Sequence, residues 1–103
     1  MAKSRPKETK LQKKVMDYIT SNFPGSIAYK IEASVNGVPD IFASIPGFGA
    51  ICIEMKRDPT EKPRANQLAM IAALNKAGTP AYVVDCWSSW MELCAVIKKS
   101  ILE

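Results

Sequence analysis

The sequence predicts an α/β fold in which helices flank a mixed β-sheet. Apolar residues recur at helical spacing in three segments, one near each end of the chain and one between them. Four short apolar stretches have the length and composition of strands. A helical segment precedes the last of these stretches, and a crossover of this kind places that strand parallel to a neighbour. The predicted order is therefore α-β-β-β-α-β-α.

The first predicted helix covers residues 7–22, where lysines separate the apolar residues. Pro24 and Gly25 follow it, and proline cannot continue a helical hydrogen-bond ladder. The apolar positions that recur at helical spacing are Leu11, Val15, Tyr18 and Ile19.

Three strands are predicted next. Residues 27–32 alternate Ile27 and Tyr29 with smaller or charged side chains, which is the period of a half-buried strand. Residues 40–45 and 50–56 form two more, and the short, glycine-containing segment between them favours an antiparallel hairpin.

The second half of the chain predicts a helix, a strand and a final helix. The second helix covers residues 63–76, with Pro63 in its first turn and Gly78 ending it. The fourth strand covers residues 81–86. Ser88 or Ser89 is expected to cap the last helix, which reaches residue 102. Its core-facing stripe is predicted to contain Trp90, Leu93, Ile97 and Ile101.

The composition indicates one folded domain over residues 1–103, with residues 1–7 as a basic lead-in. Apolar residues make up 48% of the chain and charged residues 23%, which is typical of a packed globular core. No apolar run approaches the length of a membrane span, and no signal peptide is recognised, so a cytoplasmic location is expected.

The chain contains no histidine. Ser-His-Asp and Cys-His nucleophilic sites, histidine general bases and His-rich zinc sites are therefore excluded. Cys52, Cys86 and Cys94 are widely spaced within apolar stretches, which favours reduced core thiols over a disulfide framework. Catalysis would then depend on carboxylates, lysine, hydroxyls or a bound metal.

The net charge of +4 comes from the N-terminal region, where six basic residues accompany a single acid, Glu8. Such a region is either a solvated tail or an arm that binds the phosphates of nucleic acid. The basic residues are Lys3, Arg5, Lys7, Lys10, Lys13 and Lys14.

Charged residues interrupt the apolar hairpin between residues 36 and 58. Strand parity puts Glu54 and Lys56 on one face. The other face carries Ile51, Ile53 and Met55. Taken alone, the two could form an ordinary surface pair. If residues 46–48 form a three-residue loop, Asp40 lies directly opposite Glu54, with the Cβ atoms about 5 Å apart. Facing carboxylates repel each other, and a divalent cation between them would relieve that repulsion.

Three groups of residues form a recognisable pattern. They are Gly37-x-Pro39-Asp40, then Glu54-x-Lys56-Arg57 after a hairpin, and then Gln67 on the next helix. It resembles the PD-(D/E)XK nuclease superfamily and, within it, the VRR-NUC domain family. The resemblance extends from about residue 8 to residue 85. It implies a restriction-endonuclease-like αβββαβ(α) core and a DNA endonuclease that uses Mg²⁺ or Mn²⁺ and no organic cofactor.

The resemblance also implies roles for individual residues. Asp40, Glu54 and the Met55 carbonyl would bind metal, with Glu8 as a further ligand or Glu32 in its place. Lys56 would be the catalytic lysine, and Gln67 would order the site or touch the substrate. The backbone of DNA would be bound by Lys10, Lys13, Lys14, Arg57 and Arg64.

Stand-alone members of this family resemble Holliday-junction resolvases, which implies a homodimer acting on branched or structured DNA in repair or recombination. The apolar residues Leu68, Met70, Ile71 and Leu74 of the second helix could form the dimer interface. The short chain would suit a bacteriophage protein, acting in an infected or bacterial cell. Two alternatives remain open, a non-catalytic nucleic-acid-binding module of the same fold and a protein-interaction domain.

Overall fold

The computed structural model describes residues 9–32 and 35–103. Its elements follow the predicted order, and the predicted fold class is confirmed. They are α1 (Lys10–Asn22), β1 (Ile27–Lys30), β2 (Ile41–Ile45), β3 (Gly49–Met55), α2 (Ala65–Ala77), β4 (Ala81–Val84) and α3 (Trp87–Leu102). No helix within the described ranges is both long and apolar enough to cross a membrane.

The sheet is mixed and its strands lie in the order β1-β2-β3-β4. β2 pairs antiparallel with both β1 and β3, whereas β4 pairs in parallel with β3, as a helical crossover through α2 requires. Ile45 pairs with Gly49 at the hairpin. The loop therefore contains the three residues between them, and this register confirms the predicted one.

One face of the sheet carries the hydrophobic core. Ile41 pairs with Ile53 and Ala43 with Ile51, and paired residues point to the same face. Apolar residues of α1 and α3 cover that face, so these two helices pack on the same side. The core includes Val15, Ile19, Ile41, Ala43, Ile45, Ile51, Ile53, Met55, Val84, Trp90, Leu93, Cys94 and Ile97.

β1 alternates as predicted, but its large apolar side chains are on the exposed side. Ile27 and Tyr29 are 61% and 52% exposed. The register explains this, because Ala28 pairs with the core residue Ala43 and so takes the buried side of the strand. The sequence predicted the alternation of a half-buried strand but left open which of its two sides is buried.

Two helix starts differ from those predicted. α2 begins at Ala65 with Arg64 as its N-cap, so Pro63 precedes the helix instead of lying in its first turn. α3 begins at Trp87, and its N-cap is Cys86 instead of the expected Ser88 or Ser89. The Ser89 hydroxyl accepts a hydrogen bond from the Cys86 backbone N–H at 3.2 Å.

The core positions of α3 and the cysteines were predicted only in part. Trp90, Leu93 and Ile97 are buried, but Ile101 is 36% exposed at the end of the helix. Cys52 and Cys94 are buried thiols as expected, whereas Cys86 is partly exposed because it caps α3. All three cysteines are free.

Candidate active site

A cleft of about 700 Å³ opens at one end of the sheet, where β1 and β3 end and β2 begins. The first turns of α1 and α2 complete its walls. Seven of the predicted site residues line this cleft, namely Asp40, Glu54, Met55, Lys56, Arg57, Arg64 and Gln67.

Asp40 lies one residue before the last pair of the β2–β3 ladder, Ile41 with Ile53. The same register continued by one residue places Asp40 opposite Glu54 on one face of the sheet. The Met55 backbone N–H donates a hydrogen bond of 2.8 Å to Asp40 Oδ2, which fixes the carboxylate beside β3. The hairpin therefore brings the two acids together as its loop length predicts.

Glu54 and Lys56 form a buried ion pair. Lys56 Nζ lies 3.0 Å from Glu54 Oε2, and the side chains of Lys56 and Glu54 are only 7% and 3% exposed. Burial of this kind is costly unless the charged groups are also hydrogen-bonded. The interpretation of the two residues as a solvated surface pair was therefore wrong.

Gln67 supplies the missing hydrogen bonds. Its Oε1 accepts from Lys56 Nζ at 2.8 Å, and its Nε2 donates to Glu54 Oε2 at 3.0 Å. The same Oε1 accepts from the backbone N–H of Arg64, the N-cap of α2, at 2.9 Å. Gln67 is the one buried residue of α2. A single amide thus caps the helix and holds two charged residues of β3 in place.

The approach of α2 to the hairpin depends on Gly37, whose φ of +88° lies in the left-handed region. A Cβ at this position would lie 2.5 Å from the carbonyl oxygen of Asn66. Only glycine allows the turn before Pro39 and Asp40 to pack this closely against the first turn of α2. The glycine of the Gly37-x-Pro39-Asp40 pattern therefore has a steric role in assembling the site.

Both carboxylates are held in a setting that disfavours their charged forms. Burial raises the pKa of Asp40 above its usual value, and the hydrogen bond from Met55 N–H offsets only part of that shift. Burial, followed by repulsion from Asp40, raises the pKa of Glu54, against the opposing contact with Lys56. Each shift reflects an electrostatic cost that a nearby cation would remove.

The donor set fits a hard divalent cation. Glu54 Oε1 is buried without a hydrogen-bond partner among the described residues, because Lys56 and Gln67 both use Oε2. Asp40 likewise uses Oδ2 for Met55, which leaves Oδ1 for another ligand. Mg²⁺ is commonly bound by one or two carboxylates with water completing its octahedron. In the described part of the chain, no group of three or more His, Cys, Asp or Glu residues is placed to hold a metal ion.

The other predicted site residues are placed less centrally. Glu8 lies outside the described residues, while Glu32, its alternative, lines the cleft. Lys10, Lys13 and Lys14 are on α1, but the residues that α1 and its cap contribute to the cleft are Thr9 and Gln12. Lys13 pairs with Asp17 at 2.9 Å, and Lys14 Nζ lies 4.4 Å from the centroid of the Trp87 ring.

Sequence reasoning missed Lys30 and Glu61 as cleft residues. Lys30 follows the strand alternation and so looked like part of a solvated face, but β1 ends at the cleft. The charge of Lys30 lowers the pKa of Asp40 and that of Glu61 raises it, each to a smaller extent than burial does. For Glu61, the sequence did offer a signal, because residues 58–63 form a polar connection that directly follows β3.

Comparison with known proteins gives matches at the level of structure. No family model matches the sequence, and no curated protein matches it either. A solved structure described as "VRR_NUC domain" superposes with a TM-score of 0.67 at 24% identity, covering 81% of this chain and 92% of that one. A second, described as "VRR_NUC domain protein", gives 0.70 at 20% identity, covering 90% and 88%. This chain has the VRR_NUC fold.

Each superposition includes more than four fifths of this chain. The fold implied by the sequence pattern is therefore confirmed by structure. At these identities the match concerns architecture, and the roles of Asp40, Glu54, Lys56 and Gln67 depend on the geometry described above.

Proposed function

We propose that this chain is a VRR-NUC nuclease, a divalent-metal-dependent endonuclease that hydrolyses phosphodiester bonds in structured DNA. The observation that carries the proposal is the pairing of Asp40 with Glu54, whose buried Oε1 has no partner among the described residues, beside Lys56. A protein that bound no metal would gain stability by removing one of two facing acids, of which Glu54 is buried and Asp40 partly buried.

Each residue of the cleft would have a distinct part in hydrolysis. A Mg²⁺ or Mn²⁺ ion held by Asp40 and Glu54 would polarise the scissile phosphate and lower the pKa of a water molecule. Lys56 has three N–H donors, of which Glu54 and Gln67 use two. The third can stabilise the negative charge that develops on the phosphate. Attack of the water oxygen on phosphorus would break the bond to the 3′ oxygen, which takes up a proton from solvent, and would leave a 5′-phosphate and a 3′-hydroxyl end.

Positive side chains around the carboxylates support a polyanionic substrate. Lys30, Arg57, Lys62 and Arg64 line the cleft, and phosphate contacts of this kind position DNA without reading its sequence. We therefore propose recognition by DNA shape, at Holliday junctions or other branched substrates, in DNA repair or recombination. Lys10, Lys13 and Lys14 remain proposed contacts to DNA outside the cleft.

We also propose that the chain forms a homodimer through α2. The helix buries Gln67 alone, and its apolar residues stay at least partly accessible, with Leu68 52% exposed. A helix that is this apolar yet unburied has surface available for a second copy. Two cleavage sites in one dimer would suit substrates with paired strands, and mass measurement in solution tests the assembly.

The decisive experiment compares cleavage of junction, flap and linear DNA by the wild type and by Asp40→Asn, with Mg²⁺ or Mn²⁺ and with EDTA. Asp17→Asn makes the same chemical change at an exposed position of α1 and is the matched control. We expect the wild type and Asp17→Asn to cut in a metal-dependent manner, and Asp40→Asn to bind DNA without cutting. Absence of cleavage by the wild type on every substrate, with binding equal to that of Asp40→Asn, would favour the non-catalytic binding module.

A further inference from the structure

The unexplained feature of the fold is the exposed aromatic side of β1. Tyr29 pairs with Phe42 of β2, and their rings are 5.2 Å apart between centroids with planes tilted by 33°. Both side chains point away from the core, which lies on the face of Ile41 and Ala43. Tyr29 is half exposed and Phe42 partly so. The pair forms an aromatic surface, and we call Tyr29 and Phe42 the aromatic platform.

The aromatic platform lies on the same sheet face as the acids of the cleft. The Ile31 N–H donates a hydrogen bond of 2.7 Å to the Asp40 carbonyl oxygen, so the pairing of β1 with β2 continues beyond the last ladder residues. Asp40 precedes Phe42 by two positions along the chain, and residues two apart in a strand share a face. Two residues of a strand span about 7 Å. The aromatic platform is therefore about 7 Å along the strand from Asp40, beside which the scissile phosphate is proposed to bind.

Charge in the cleft next to the aromatic platform favours a nucleic acid as its occupant. Lys30, whose pairing with Ile41 puts it on the opposite face of β1 from Tyr29, lines the cleft at the end of that strand, and Arg64 lines it from the cap of α2. A DNA strand bound by these cations would pass over the end of the sheet, and its bases would be free to reach the exposed rings. Aromatic side chains on a sheet are a recurrent surface for stacking bases.

We propose that the aromatic platform stacks an unpaired base next to the scissile phosphate, which makes an unpaired nucleotide at the cleavage point part of the substrate. This inference rests on the proposed function of the cleft and specifies its substrate class. In an intact duplex both faces of each base are covered by neighbouring bases, so an aromatic ring can stack only on a base that has left the stack. A flap, a gap or a junction branch point offers such a base.

The test measures binding, so that its result does not depend on cleavage. Asp40→Asn is used throughout to keep the DNA intact, alone and combined with Tyr29→Ala or Tyr29→Phe. The probes are two duplexes that differ only in one unpaired 2-aminopurine at a branch point. We expect Tyr29→Ala to weaken binding of the branched probe about tenfold, because base–aromatic stacking contributes roughly 1–3 kcal/mol. Tyr29→Phe should retain the affinity, and binding of the paired duplex should not change.

Fluorescence supplies a second readout that a merely structural role of Tyr29 would not move. The 2-aminopurine should be quenched on binding to the protein that keeps Tyr29 and to the Tyr29→Phe variant, and should stay bright on Tyr29→Ala. The proposal would be overturned if Tyr29→Ala lost the same affinity for both probes. It would also be overturned if Tyr29→Ala quenched the 2-aminopurine as strongly as the protein that keeps Tyr29. A change from dimer to monomer in Tyr29→Ala, with DNA affinity unaltered, would assign the surface to contact between copies and overturn it as well. Failure of the wild type to cleave DNA would contradict the proposed function of the cleft. The binding and fluorescence measurements would still decide whether Tyr29 stacks an unpaired base.

Discussion

Gln67 Nε2 donates a hydrogen bond of 3.0 Å to Glu54 Oε2, which joins the first turn of α2 to the third strand of the sheet. Because Gln67 also accepts from Lys56 Nζ and from the Arg64 backbone, one side chain orients both members of the buried ion pair. Glu54 Oε1 is thereby kept free for another ligand. Gln67 is a positioning residue in this arrangement.

Replacement of Gln67 by leucine should lower both stability and activity. The substitution leaves the charges of Glu54 and Lys56 short of hydrogen bonds and removes the cap bond to Arg64. An unsatisfied buried polar group costs about 1–3 kcal/mol, and a lost cap adds about 1 kcal/mol. Thermal unfolding checks the first effect, and DNA cleavage at saturating Mg²⁺ checks the second. Wild-type kcat in the Gln67→Leu variant would show that Lys56 needs no positioning by the amide.

Gly37→Ala should be more destabilising than the same change at Gly49. Both glycines have positive φ, so both substitutions incur a left-handed backbone cost of roughly 1–2 kcal/mol. Only at Gly37 would the new Cβ also meet the Asn66 carbonyl oxygen, since nothing lies within 4 Å at Gly49. Denaturant unfolding of the two variants isolates the steric part. Equal losses of stability would mean that the turn does not need its close approach to α2.

Asp40→Asn should stabilise the metal-free protein. The change removes the partly buried carboxylate that repels Glu54 and keeps an acceptor for the Met55 N–H. We expect a gain of about 1 kcal/mol in EDTA, which corresponds to several degrees in Tm for a chain of this size. Added Mg²⁺ should raise the Tm of the wild type and leave that of the variant unchanged. Asp17→Asn serves as the control, and a lower Tm for Asp40→Asn in EDTA would contradict the repulsion.

Cys86 should be the first thiol to react with iodoacetamide in the folded protein. Hydrogen bonding from Ser88, followed by Ser89, lowers the pKa of the Cys86 thiol, whereas burial raises the pKa of Cys94 to about 11. A lowered pKa means more thiolate at a given pH, so the rate at Cys86 should rise with pH and level off earlier than for an unperturbed cysteine. Mass spectrometry of the labelled peptides over a pH series measures this. Ser88→Ala should move the plateau to higher pH, and faster labelling of Cys94 would contradict the assignment.

The register of the hairpin and the pairing of Asp40 with Glu54 could be predicted from sequence, because strand parity and loop length determine them together. Which side of β1 is buried could not be predicted from the sequence. Its alternation has the correct period, but which side faces the core depends on pairing with β2, where Ala28 lies beside Ala43. The aromatic platform is therefore visible only in the folded sheet.

The contacts of Gln67 were also beyond the sequence. Its place near the site follows from the family pattern, but its double role as a cap of α2 and a partner of Lys56 requires the packing of α2 against β3. Propensity favoured Pro63 for the first turn of that helix. The helix begins two residues later, where Gln67 can reach back to the N–H of Arg64.

Diffraction from crystals grown with Mn²⁺ tests the central claim most directly, since the anomalous signal of manganese locates the ion independently of activity. We expect an anomalous peak bound by Asp40 and by Glu54 Oε1, at about 2.0–2.2 Å from their oxygens. The peak should be absent from crystals of Asp40→Asn under the same conditions. A fully occupied manganese elsewhere with none between Asp40 and Glu54, or the same peak in Asp40→Asn, would contradict the account.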